Sequence, residues 1–123
     1  MLKVCVTGGR KFTDFDFIKK VLDRIKRNDI ILAHGGANGV DNLCAKYALT
    51  RGWKVVEYKA DWKQHKNQAG PIRNSYMLQD FKPSYLIAFP GGNGTQDCIN
   101  KARTLNIKTF YATKIGTTCQ NKL

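Results

Sequence analysis

Apolar residues along this chain follow two alternating rhythms: short continuous runs, and stripes spaced for a helix. Leu2 to Thr7 is a continuous run that ends at Gly8-Gly9-Arg10. Thr13-Asp14-Phe15-Asp16 places acidic groups where a helix starts, and Phe17, Ile18, Val21, Leu22 and Ile25 recur behind it at helical spacing. Ile30 to Ala33 is a second run and closes on His34-Gly35-Gly36-Ala37-Asn38-Gly39. Val40, Leu43, Cys44, Tyr47 and Ala48 form the next helical stripe, which Gly52 ends as a C-terminal cap. Lys54 to Tyr58 reads as a third strand, and Ala60 to Ala69 as a polar loop carrying Trp62. Gly70-Pro71 opens a helix that runs to about Phe81 and stops before Pro83. Tyr85 to Phe89, a glycine-rich loop, a helix to about Leu105 and a strand over Ile107 to Tyr111 complete the series.

Five near-continuous strands alternating with helices predict an α/β fold: a single Rossmann-like three-layer domain with a mainly parallel sheet of about five strands. The domain spans residues 1–113, and the polar residues 114–123 read as a C-terminal tail. Right-handed crossovers place every strand-to-helix loop on one edge of the sheet. Three glycine-rich loops therefore converge there: Gly8-Gly9-Arg10, Gly35-Gly36-Ala37 and Gly91-Gly92-Asn93-Gly94. Open α/β sheets bind ligands in that crevice, outside the carboxyl ends of the strands.

Composition narrows the class. With 42% hydrophobic and 24% charged residues among 123, the chain has the balance of one soluble globular domain. No apolar run approaches the roughly 20 residues that cross a bilayer, and Met1 leads directly into a strand pattern, so a cytoplasmic protein with no membrane partner is expected. Cys5, Cys44, Cys98 and Cys119 lack CxxC spacing and read as reduced, mostly buried thiols. With only His34 and His65 beside them, no metal site is expected, and no cofactor. The net charge of +12 is unusual and attracts polyanions or anionic small molecules.

The loop Phe89-Pro90-Gly91-Gly92-Asn93-Gly94-Thr95 is the most informative stretch. A glycine turn from strand into helix exposes backbone N–H groups at the positive end of a helix dipole, where a phosphate binds. Thr95 is placed to cap the helix or to contact a phosphate oxygen. The spacing matches neither GxGxxG nor GxxxxGK[ST], and no lysine follows a glycine loop, which argues against ATP hydrolysis. Arg10 can act as an anion clamp. Asp41, in a first helical turn, serves either the dipole or a ribose hydroxyl. Arg73-Asn74 puts a cation in a first turn against its dipole preference, which marks it for function. Trp62 either stacks on a base or covers the core, with core favoured. Asp97 is the carboxylate near the last glycine loop and a candidate acid, base or stabiliser of a ribosyl cation.

These residues resemble a known family. Gly8-Gly9-Arg10…Phe12…Asp14, His34-Gly35-Gly36-Ala37…Gly39…Asp41, Ala60-Asp61-Trp62, Ala69-Gly70-Pro71…Arg73-Asn74…Met77 and Phe89-Pro90-Gly91-Gly92…Gly94-Thr95 look like the YspA-like branch of the SLOG superfamily. That superfamily includes the LOG phosphoribohydrolases and the DNA-processing protein A fold. The resemblance implies a Rossmann-like domain that binds nucleotides or nucleotide-derived signals. It also implies a homo-oligomer, since oligomers are frequent among similar proteins. LOG enzymes hydrolyse the N-glycosidic bond of a nucleoside 5′-monophosphate, with a PGGxGTxxE loop and an upstream arginine four residues before a methionine. Arg73 and Met77 reproduce that spacing, and Pro90 to Thr95 reproduces the loop. The glutamate position, however, falls on Cys98, with Asp97 one residue earlier, a rotation of about 100° on a helix.

The implied site comprises Arg73 and Asp97 as catalytic candidates. Gly8, Gly9, Arg10, Gly35, Gly36, Ala37, Asp41, Arg73, Asn74, Gly91, Gly92, Asn93, Gly94 and Thr95 are the ligand-binding candidates. The expected ligand is a nucleoside monophosphate or an ADP-ribose-like molecule. The protein would act on it as sensor, as sponge (for instance in a phage–host conflict) or as weak N-glycosidic hydrolase. The alternative is a nucleic-acid-binding module related to DNA-processing protein A.

Overall fold

The computed structural model describes residues 1–113 and 116–119. Elements follow in the order β1 (Leu2–Thr7), α1 (Phe15–Leu22), β2 (Ile30–His34), α2 (Val40–Thr50), β3 (Lys54–Glu57), α3 (Trp62–His65), a 3₁₀ turn (Lys66–Gln68), α4 (Ala69–Phe81), β4 (Tyr85–Ala88), α5 (Asn93–Thr104), β5 (Lys108–Thr113) and β6 (Gly116–Cys119). The sheet order is β3-β2-β1-β4-β5-β6. The first five of these strands pair in parallel, with Val4 opposite Leu32 on one side and Tyr85 on the other. The order reverses at β1, so the crevice between the carboxyl ends of β1 and β4 is the topological switch point.

Residues 114–123 were expected to form a tail. Within that stretch Gly116–Cys119 pairs antiparallel with β5, Thr113 opposite Gly116, and adds a sixth strand. The remaining residues of the stretch, and the Cys119 side chain, lie outside the described residues.

Strand alternation builds two cores from one sheet. Val4, Val6 and Ile87 face α1 and α2, against Ile18, Leu22, Val40, Cys44 and Tyr47. Cys5, Leu86 and Ala88 face α4 and α5, against Met77, Leu78, Phe81, Cys98 and Ile99. This is the three-layer arrangement the apolar runs predict. β3, at the sheet edge, departs from the continuous-run pattern: Lys54, Val56 and Glu57 are exposed and only Val55 packs on the core. Local signals fix the helix ends. Asp14 accepts from the Phe17 amide at 3.0 Å and caps α1. α1 is shorter than its apolar stripe: it ends at Leu22, and Ile25 reaches the core from the following turn. Gly52, at φ +72°, follows α2 in the left-handed region as expected.

Candidate functional site

At the switch point lies a crevice of about 450 Å³. All three glycine loops reach it, together with Arg10, Asp41, Trp62, Arg73, Asn74, Thr95 and Asp97. The volume falls within the roughly 300–1,000 Å³ of small-ligand pockets.

The loops after β1 and β4 lock onto each other. The Gly9 amide donates to the Pro90 carbonyl at 2.9 Å. A Cβ on Gly91 would stand 2.7 Å from the Gly9 nitrogen, so only glycine permits that approach. α5 starts directly after this loop with Gly92 as its cap residue, and no side chain caps it. The amides of Asn93, Gly94 and Thr95 therefore lie in a first turn, where the helix offers no acceptor. Thr95 is not the cap residue; it sits inside the turn, buried, with its hydroxyl toward Gly91.

The second loop works differently. Asp41 Oδ2 accepts from the amides of Gly35 at 3.1 Å and Ala37 at 3.2 Å, while His34 Nδ1 accepts from Gly36 at 3.0 Å. All three amides of Gly35-Gly36-Ala37 thus serve the loop itself. The glycines there are needed for space and backbone. Gly36 and Gly39 have positive φ, and a Cβ on Gly39 would come 2.6 Å from the Arg10 carbonyl oxygen. Burial pushes the Asp41 carboxyl above its ordinary range, opposed by the bond from the Ala37 amide. Burial also lowers His34, favouring the neutral imidazole whose Nδ1 accepts from Gly36.

A chain of polar contacts crosses from α4 to α5. Arg73 Nη1 donates to the Gly35 carbonyl and Nε to Asn74 Oδ1 at 2.9 Å. Asn74, itself buried, donates from Nδ2 to Asp97 Oδ2 at 3.0 Å and to the Gly94 carbonyl at 3.2 Å. Lys101 pairs with the same Asp97 oxygen at 2.9 Å. Arg73 and Asn74 therefore brace two glycine loops as well as lining the crevice. Asp97 does line it, despite its one-residue offset from the position of the LOG-signature glutamate. Cys98 is fully buried in the α4–α5 core, and burial pushes its thiol up to about 12, so it carries no thiolate.

Arg10 lines the crevice and lies over the Trp62 ring, its guanidinium carbon 5.1 Å from the ring centroid. Trp62 is 47% exposed at the crevice mouth, so the core role favoured from sequence is not the one it plays. Lys101 escaped the sequence reading; its i, i+4 spacing from Asp97 is the signal that would have found it. Among the described residues, no cluster of three His, Cys, Asp or Glu side chains can hold a metal ion. No helix there is long and apolar enough to cross a membrane.

The model of the YspA, cpYpsA-related SLOG family matches residues 2–65, which hold the first two glycine loops, Asp41 and Trp62. The chain belongs to this family. Gene 61 protein of Mycobacterium phage D29 is similar to it, at 31% identity over 117 residues, 87% of this chain and 93% of the phage protein. Outside sequence, the X-ray structure of TM1055, a structural genomics target, matches with a TM-score of 0.67 over 89% of this chain and 72% of that one. At 16% identity that likeness is one of fold, and it agrees with the Rossmann-like architecture of this SLOG protein.

Proposed function

We propose that this SLOG protein binds a nucleotide-derived ligand, a nucleoside monophosphate or an ADP-ribose-like molecule, as a sensor or sponge. One observation carries the reading: the first-turn amides of α5 and the side chain of Arg10 border the same crevice at the switch point. Amides without a helical acceptor and a guanidinium are the two groups that best hold phosphate. Asp41 uses Oδ2 for its loop, which leaves Oδ1 as the acceptor for a ribose hydroxyl.

Binding is favoured over N-glycosidic hydrolysis. The family glutamate position is a buried thiol, and Asp97 is tied through Oδ2 to Lys101 and Asn74. A ribosyl cation would draw on a carboxylate whose charge a neighbouring ammonium already offsets. Mass spectrometry of the gently purified protein, before and after incubation with a nucleotide panel, tests this. An intact nucleotide retained by the wild type supports binding. Free base released by the wild type and not by Asp97→Asn would make the protein a hydrolase. Neither outcome would remove the nucleotide reading.

The charge of +12 supports a second reading, a nucleic-acid-binding module. It requires affinity for a single-stranded oligonucleotide that falls steeply between low and moderate salt. A flat salt response would dismiss it.

A further inference from the structure

Beside the main crevice lies a second cavity of about 330 Å³, and Arg10, Gly35, Ala37, Trp62 and Arg73 line both. The two cavities are thus neighbouring compartments with a shared wall. The first has the helix terminus and its amides. The second lacks them and is bordered instead by Glu57 and Lys59, at and just beyond the carboxyl end of the edge strand β3. Trp62 stands in the shared wall, half-exposed, its ring edge packed over Gly70, where a Cβ would sit 3.5 Å from it. One large aromatic surface is thereby held at the mouth of a polar cavity, and the Arg10 guanidinium covers it.

Resting on the nucleotide reading, we propose that this second compartment is a subsite for a planar aromatic base, with the Trp62 indole as its stacking platform and Arg10 as an exchangeable occupant. The Arg10 guanidinium covers the indole at 5.1 Å, a contact that shields the ring without burying it. A phosphorylated ligand offers Arg10 a stronger partner in the phosphate. Arg10 turns to it, and the vacated ring face receives the base. The same movement thus couples phosphate recognition to opening of the base subsite. A ligand with both parts gains from both contacts, whereas a sugar phosphate gains from the first alone. Arg10 is the anion clamp and Trp62 the residue that selects for a base.

Calorimetric titration with AMP and with ribose 5-phosphate separates the two roles. Trp62→Ala is expected to weaken AMP about 10-fold and to leave ribose 5-phosphate within about twofold, because stacking on an aromatic ring is lost for the base alone. Trp62→Phe keeps a ring and should retain most AMP affinity, which guards against a folding defect in the alanine variant. Arg10→Ala should weaken both ligands alike. An AMP affinity untouched by Trp62→Ala, or equal losses for both ligands, would overturn the base subsite and leave the phosphate site standing. A wild type that binds neither ligand would overturn the nucleotide reading, and the subsite with it.

Discussion

Asp41 holds the second glycine loop through one carboxylate oxygen, and its replacement can be worked through from the structure. In Asp41→Ala the amides of Gly35 and Ala37 both lose their acceptor. Gly35 is buried and Ala37 half-buried, so water replaces the second bond more readily than the first. An orphaned buried amide costs about 1–3 kcal/mol, which puts the pair at about 3 kcal/mol. For a domain of this size that is a fall in Tm of about 10 °C. Asp41→Asn keeps an acceptor oxygen and should stay within about 1 kcal/mol of wild type.

The pH dependence has a definite sign. Because the folded-state pKa of Asp41 is raised, its contribution to stability is fully present below the unfolded value of about 3.9 and is lost as pH rises through the folded value. Asparagine does not titrate, so the stability of Asp41→Asn should gain on wild type as pH rises from 4 to 7. Urea unfolding at several pH values, followed by circular dichroism, reads both effects. An alanine variant as stable as wild type, with an unchanged m value, would refute the view that Asp41 holds the second glycine loop.

Three further outcomes follow from the same geometry. Gly39→Ala forces a side chain onto φ +78° and toward the Arg10 carbonyl, and should destabilise by at least about 2 kcal/mol in urea unfolding; a variant close to wild type would show that this junction tolerates a Cβ. His34, with its lowered folded pKa, contributes stability that is present above the unfolded value of about 6.5 and is lost as pH falls below it. His34→Asn keeps an acceptor for the Gly36 amide and should flatten the Tm profile between pH 7 and about 5; a slope equal to wild type would assign the titration elsewhere. Cys98→Glu places a carboxylate where the LOG signature has its glutamate, but the position is fully buried among apolar neighbours, so Tm should fall by more than about 10 °C without base release. A folded variant that releases base would show that the carboxylate geometry was available after all.

The alternation of runs and stripes makes the layers, the parallel pairing and the glycine-loop edge legible in the chain itself, because buried strands and amphipathic helices must write those patterns. β6 was not legible: Gly116-Thr117-Thr118-Cys119 carries no alternating apolar signal, and it forms by pairing with the edge of β5. Within the site, the sequence placed Asp41, Arg73 and the α5 loop at one crevice, where they are found. The division of labour among the loops was hidden. Gly35-Gly36-Ala37 and Gly91-Gly92-Asn93-Gly94 read alike as strings of glycine, but only the first has its amides satisfied by Asp41 and His34, six residues later and one residue earlier in sequence. Trp62 misled because a tryptophan is usually core, whereas here its polar neighbours over Ala60 to Asn67 keep the ring at a cavity mouth.

The central claim is that a phosphate group seats on the first turn of α5 beside Arg10. Calorimetric titration of the wild-type protein with AMP and with adenosine tests it most directly, since the two ligands differ only in that group. The account predicts binding of AMP at least about tenfold tighter than of adenosine, the least that charge-assisted bonds to a helix terminus and a guanidinium should give. Equal affinities, or binding of adenosine alone, would contradict it.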